Sequence, residues 1–396
     1  MMTKIEKRLL GLTEKHIHIV IVIAAIIIGT LMRVQGYEFI SVDMRLYLLP
    51  WFSEIKEKGL AEPVGNYNIL YQEIIFMLTK LKIPAVVSYK IFSCLFDFLL
   101  AGSAGVIVFL EKRCGYEKNR EMIAISFCLV YCSLPVVLNS AFWVQCDSVY
   151  TFLCVVALLF LYYEHSILAI LFLGIAFSFK LQAIFVLPFF IFVWFRQKSF
   201  SMRWFLLIPV VMIVLAIPGL VAGRNIFELF YAYRDQIEIS QKIYYNYPGL
   251  PVLLSPESIT EEFKMIRNLF CLLTVAVEGI GLCFLCKEGE KFTDFKSFWG
   301  TAMWTIYTAV LFLPCMHERY AYILEIMALI LAFIDVKTGL CMTFITQLIT
   351  LSTYGFFLFS YRSIPLVVLC IINLITYFFF SIWSFKIFPV CQDRYQ

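Results

Sequence analysis

Charge is what this chain has least of. Only 15% of its 396 residues are Asp, Glu, Lys or Arg, while 62% are apolar, against about 25% and about 45–50% in soluble domains. That balance excludes an ordinary water-soluble globular protein and leaves a polytopic integral membrane protein, since each span needs about 20 largely apolar residues. The few charges nearly cancel, with a net charge of +4, so no basic field for a nucleic-acid partner is present. Motifs are missing too. There is no DxD for a nucleotide-sugar metal, no P-loop, no GxGxxG after a strand, no HExxH and no GxSxG. There is no repeat and no low-complexity tract. The first apolar run, preceded by Lys4, Lys7, Arg8 and Lys15, has no small-residue cleavage site after it. It reads as a retained first span with its basic end in the cytoplasm. The thirteen cysteines mostly sit inside apolar runs, where they act as small hydrophobes. The single CxxC at Cys283 and Cys286 has no matching pair, and no disulfide framework is expected. Glu288-Gly-Glu290 is an isolated pair in a solvated loop and a poor metal site.

What is present is a series of apolar runs near 17–34, 88–111, 121–138, 146–163, 166–180, 182–196, 203–222, 268–286, 297–313, 320–335, 339–360 and 364–384. Lipid tolerates little but helix or closed barrel, so the fold class is all-α with about 12 transmembrane helices in a single integral membrane domain, 1–396. The positive-inside rule then puts both termini in the cytoplasm and two long segments outside, a first loop at 35–87 and a second at 223–267. The first loop predicts two interfacial helices. In 44–58, Met44, Leu48, Trp51, Phe52 and Ile55 share a face at helical spacing, and Gly59 stops the helix. The stretch 68–83 carries Glu73, Lys80 and Lys82 and is laid on the surface rather than across the membrane.

Four polar patches fall at the outer ends of these spans: Asp43, "WVQCDS" at 143–148, "SFKLQ" at 178–182 and "MHERY" at 316–320. Polar groups at membrane depth are costly and face a bundle interior or a cavity. Asp43 is either a general base that takes a proton from an attacking hydroxyl or the N-cap of the helix that follows, with Arg45 a supporting, solvated neighbour. Lys180 either meets a phosphate, with Gln182 donating a hydrogen bond beside it, or snorkels to the interface. Arg319 suits bidentate phosphate binding, with His317 donating to the same group and Glu318 holding Arg319; the alternative is a salt bridge on the outer rim. Gln145 and Asp147 are candidates for sugar hydroxyls, Asp147 equally a helix cap, and Tyr231 and Tyr245 are further sugar contacts. Asp97 and Glu278 are intramembrane acids expected to pair with a cation across the bundle. A carboxylate base facing phosphate-binding cations suffices for glycosyl transfer from a membrane-anchored sugar phosphate, because the cations steady the departing charge.

The strings "SVDMRLYLLPWFSEIKEKG…GNYNILY", "FWVQCDSVYTFL", "AFSFKLQAIFVLP" and "PCMHERYAY" resemble, in that order, a bacterial branch of the GT-C glycosyltransferases, related to the dolichyl-phosphate-dependent mannosyl- and glucosyltransferases. The chain departs from that pattern at Ile69-Leu70, where relatives often carry proline. The resemblance implies a catalytic Asp43 and a donor-phosphate site at Lys180, Gln182, His317 and Arg319. It implies transfer of a hexose of mannose or glucose type, by inversion, with no cofactor and no metal. The partners are then a polyprenyl-phosphate-linked sugar, a glycan or lipid-linked acceptor, and the membrane lipids around an outward-facing site. A polysaccharide flippase or other transporter, or an oligosaccharide polymerase, is the alternative.

Overall fold

The computed structural model describes residues 2–111, 116–238, 240, 242–254, 262–286, 291–292 and 294–387. Glu288-Gly-Glu290 and part of the segment 223–267 lie outside the described residues. The described chain is helical and contains no strand. Each apolar run of the sequence becomes helix, because a buried backbone in an apolar setting must satisfy its own N–H and C=O groups. Five helices are long and apolar enough to cross a membrane: Ile17–Gln35, Ala85–Glu111, Phe263–Leu285, Val336–Phe359 and Leu366–Ile387. The pair Arg120–Tyr131 and Leu134–Trp143, bent by 47°, makes up to six if it is one span. The remaining apolar runs form shorter helices, among them Asp147–Tyr162, Ser166–Phe179 and Leu181–Gln197. The protein is therefore an all-α, membrane-embedded protein. Bends account for much of the shortening: Lys180 takes an extended backbone between Ser166–Phe179 and the tight turn Leu181–Val186.

Four polar ties position the segment around Asp43. Lys90 caps the end of Ile17–Gln35 by donating to the carbonyls of Gly36, Tyr37 and Phe39 at 2.5, 2.8 and 2.8 Å, where orphan carbonyls attract a cation. Asp97 is fully buried and accepts from Arg33 at 2.8 Å, so its expected cation is Arg33. It also accepts from Ser140 and Ser148, which bind the end of the bent pair and the head of Asp147–Tyr162 to the same carboxylate. Gly36 lies against that bent pair, since a Cβ there would meet the Ala141 carbonyl oxygen at 2.9 Å. Among the described residues Glu278, by contrast, has no cation partner, and its Oε1 is buried without a hydrogen bond. No disulfide joins the described cysteines.

The helix Leu49–Lys58 follows a wide π turn at Met44–Leu48. Met44, Leu48, Phe52 and Ile55 bury its inner face, as the spacing predicts. Trp51 departs from that face: it is only partly buried and lines a cavity instead. Helix Ile69–Thr79 is enclosed by protein on most sides, with Ile69, Leu70, Tyr71, Gln72, Glu73, Ile75, Leu78 and Thr79 buried. Its polar residues find protein partners: Glu73 accepts from the Gly219 amide at 2.8 Å, and Gln72 bonds Val64, Tyr67 and Arg224. Polar side chains that would be costly in lipid are thus satisfied by neighbouring elements.

Candidate functional site

One cavity of about 390 Å³ gathers most of the residues singled out in the sequence. Asp43, Gln145, Lys180, Gln182, Tyr245, His317, Glu318 and Arg319 all line it, together with Tyr47, Trp51, Asn66, Tyr67, Trp143, Gln236 and Tyr320. These come from positions far apart in the chain, and the fold alone unites them.

Asp43 is not a helix cap. Its backbone is already helical and its side chain makes no capping bond. Ser41 takes that role, with Oγ accepting from the Met44 amide at 3.1 Å and donating to the Trp143 carbonyl at 3.0 Å. The Asp43 carboxylate is free to face the cavity. Its Oδ2 accepts from Trp143 Nε1 at 2.7 Å and from Gln145 Nε2 at 3.0 Å. Its Oδ1 carries no protein hydrogen bond among the described residues. Two donors on one oxygen orient the carboxylate and leave the other oxygen for a ligand.

The two donors are aimed by a special backbone. A π turn over Leu138–Trp143 ends at Val144, which stands in the left-handed region at φ 66°. A β-branched residue there is a genuine outlier, stored strain that the surroundings must hold. The indole of Trp143 stacks on Phe357 at 4.2 Å and meets Tyr354 edge-on at 5.1 Å. Wide turns and positive φ values of this kind gather at functional sites. Cys315, at φ 61°, is a second left-handed residue, two positions before His317. The amide of Cys315 donates to Ile243 at 2.6 Å and that of Tyr245 to Met316 at 3.3 Å. These bonds tie the two chain segments that form this wall.

One part of the cavity holds two cations, Lys180 and Arg319, with His317 beside them. Arg319 is enclosed by aromatic faces, 5.8 Å from the Trp143 ring and 5.6 Å from the Tyr320 ring. Its Nη1 is buried with no hydrogen-bond partner among the described residues, as are Gln182 Oε1 and Glu318 Oε1. Buried polar atoms are normally satisfied, so three orphans around one cavity mark a place shaped for a polar ligand. His317 stacks on Tyr245 at 4.0 Å, nearly parallel. Burial first, then the positive charges of Arg319 and Lys180, push its pKa down to about 3. The imidazole is neutral at ordinary pH and offers one N–H rather than a charge. Burial likewise pushes the Glu318 carboxyl up, from an ordinary 4.5 to about 7.

Several sequence expectations are corrected here. Asp147 does not reach the cavity and does not cap its helix. It is fully buried, ion-paired with Lys180 and hydrogen-bonded by Asn139 at 2.9 Å. Its role in the structure is to hold the lysine, because a buried ammonium needs a counter-charge. Glu318 does not hold Arg319: no ion pair joins them among the described residues. Tyr231 points away from the cavity, 47% exposed and stacked on Phe227, because the helix Glu228–Glu238 turns Gln236 inward instead. Arg45 is exposed, as a solvated neighbour of Asp43 should be, but it lies outside the cavity. Sequence reasoning missed Trp143 and Tyr67, although both lie in the strings quoted above. An aromatic residue in an apolar chain carries no signal of its own; only the indole N–H at Asp43 distinguishes Trp143.

Among the described residues no group of three or more His, Cys, Asp or Glu is placed to hold a metal ion. In comparisons with known proteins, no family model matches the chain and no curated protein matches it.

Proposed function

We propose that the protein is a membrane glycosyltransferase that moves a hexose of mannose or glucose type from a polyprenyl-phosphate donor to a glycan or lipid-linked acceptor. The observation that carries this reading is a single cavity in which a carboxylate oxygen, Asp43 Oδ1, and a buried guanidinium nitrogen, Arg319 Nη1, both lack a hydrogen-bond partner among the described residues. A proton acceptor and an anion binder are what such a transfer requires. The acceptor hydroxyl loses its proton to Asp43 as its oxygen bonds to the anomeric carbon. The bond from that carbon to the phosphate oxygen breaks, and the electron pair leaves with the lipid phosphate. Arg319 and Lys180 steady that charge, and neutral His317 and the Gln182 amide donate to its oxygens. Displacement in one step inverts the anomeric centre. In this reading the twelve apolar runs span or enter the membrane, the termini lie in the cytoplasm and the cavity opens outside, where lipid-phosphate donors replace nucleotide sugars.

The test is turnover by the purified protein with a panel of polyprenyl-phosphate hexoses and their pyrophosphate counterparts. Transfer from a monophosphate donor, with inversion read by NMR, is the expected result. Transfer from pyrophosphate donors alone would make the protein a polymerase-type enzyme, and vesicle transport without bond cleavage would make it a transporter.

Glu318 adds a pH dependence. Its carboxyl ionises near neutrality, about 7, beside the place assigned to the donor phosphate, and like charges repel. Donor KM is therefore expected to rise as pH climbs from about 6 to about 8, and Glu318→Gln should flatten that rise. The folded carboxyl also holds a proton that the unfolded chain releases above about 4.5. Stability through this group thus falls as pH rises across that window. Equal donor KM profiles for the two proteins would remove Glu318 from the phosphate site.

A further inference from the structure

Asp43, Tyr47 and Trp51 stand four residues apart and all line the cavity. In a regular α-helix, with 3.6 residues per turn, such positions drift steadily around the axis. Here the first interval coincides with the π turn Met44–Leu48, which takes more residues per revolution and offsets part of the drift. The turn thus aligns two aromatic rings with the carboxylate on one face. At about 1.5 Å of rise per residue, Trp51 stands roughly 12 Å along the axis from Asp43, a span of about two sugar rings. The rings are held as a unit. Tyr47 and Trp51 lie 5.8 Å apart, and Trp51 meets Tyr67 edge-on at 5.7 Å. Gly65 passes against the indole, where a Cβ would meet ring atoms at 2.4 Å, and its φ of 72° also favours glycine. Beside the rings the cavity carries uncharged amides, Asn66 and Gln236, and Gln236 Nε2 donates to the main-chain carbonyl of Asn66 at 2.6 Å.

We infer that Tyr47 and Trp51 form an acceptor strip for a saccharide of at least two rings, laid so that its reactive hydroxyl reaches Asp43. This rests on the proposed glycosyl transfer for the identity of that hydroxyl, but not for the binding itself. Aromatic faces carry partial negative charge and take the C–H faces of pyranose rings. Neutral amides bond hydroxyls without demanding a charged ligand. The cations that suit a phosphate belong to other residues of the cavity, so the strip supplies what the donor site lacks. It also makes the acceptor an oligosaccharide end rather than a single lipid-linked sugar.

The experiment is calorimetric titration of the purified full chain with octyl mono- and disaccharide glycosides of glucose and of mannose, in wild type, Trp51→Ala, Tyr47→Ala and Trp51→Phe. A disaccharide of one of the two sugars is expected to bind about tenfold tighter than its monosaccharide. Trp51→Ala should erase that preference and Trp51→Phe should restore most of it, with unchanged unfolding temperature as the check on folding. Equal affinity for one and two rings, or a preference untouched by both alanine variants, overturns the strip. So does a Trp51→Ala defect that appears only toward polyprenyl phosphates and grows with chain length, because the rings would then hold the donor lipid. Because binding is read directly, a protein that binds the disaccharide through Trp51 but transfers nothing would refute the glycosyl-transfer reading and leave the strip standing.

Discussion

Asp43→Asn is expected to lower the transfer rate by about 10²- to 10⁴-fold, the usual contribution of a positioned general base, while the protein stays folded. The asparagine is nearly isosteric, and its carbonyl oxygen can still accept from Trp143 Nε1 and Gln145 Nε2, the two bonds that Asp43 makes at 2.7 and 3.0 Å. What it cannot do is take a proton. The loss should therefore fall on kcat, with donor binding little changed, because the proposed reaction sets Asp43 against the attacking hydroxyl rather than the phosphate. Comparison of kcat and donor KM in the two proteins, with the unfolding temperature as control, decides it. Activity within about tenfold of wild type would assign the base to another group. Glu318, the second carboxylate of the cavity, would be the next to test.

The second large effect is expected at Arg319. Removal of one preplaced donor to developing charge costs about 10²- to 10³-fold in kcat in comparable sites. Arg319→Ala should lose at least that much in kcat/KM for the donor and far less for the acceptor. Lysine should rescue only partly, because its ammonium is a point charge without the planar fork that grips two phosphate oxygens. The variant should also fold. Arg319 makes no ion pair among the described residues, so its truncation leaves no charged partner stranded, in contrast to loss of Asp147, which would strand Lys180. A defect confined to the acceptor side would count against the phosphate assignment.

Chemistry-bearing residues were legible in proportion to how strongly an apolar setting penalises them. Asp43, Lys180, His317, Glu318 and Arg319 stand out because they are ionisable residues set against long apolar runs. Their roles were less legible than their presence. Asp147 shares the same string as Gln145, yet two positions along the chain separate a cavity amide from a buried counter-ion. The non-helical backbone of Cys146 and the start of a helix at Asp147 send the two side chains apart. Tyr231 and Tyr245 looked alike in a tyrosine-rich segment. Only the direction in which Glu228–Glu238 presents its faces, and the pairing of Tyr245 with Met316, set them apart.

By itself the sequence determined that this protein is helical and embedded in a membrane, which residues are too polar to face lipid, and the buried stripe of Met44, Leu48, Phe52 and Ile55. These follow from hydropathy and helical period, which act locally along the chain. Tertiary structure decided that Ser41 rather than Asp43 starts its helix, that Asp147 neutralises Lys180, and that Trp143 and Gln145 grip one oxygen of Asp43. Each of these depends on a contact between distant segments or on a wide or left-handed turn. Neither leaves a mark in the local pattern, because the cost of such a turn is met by packing elsewhere in the fold.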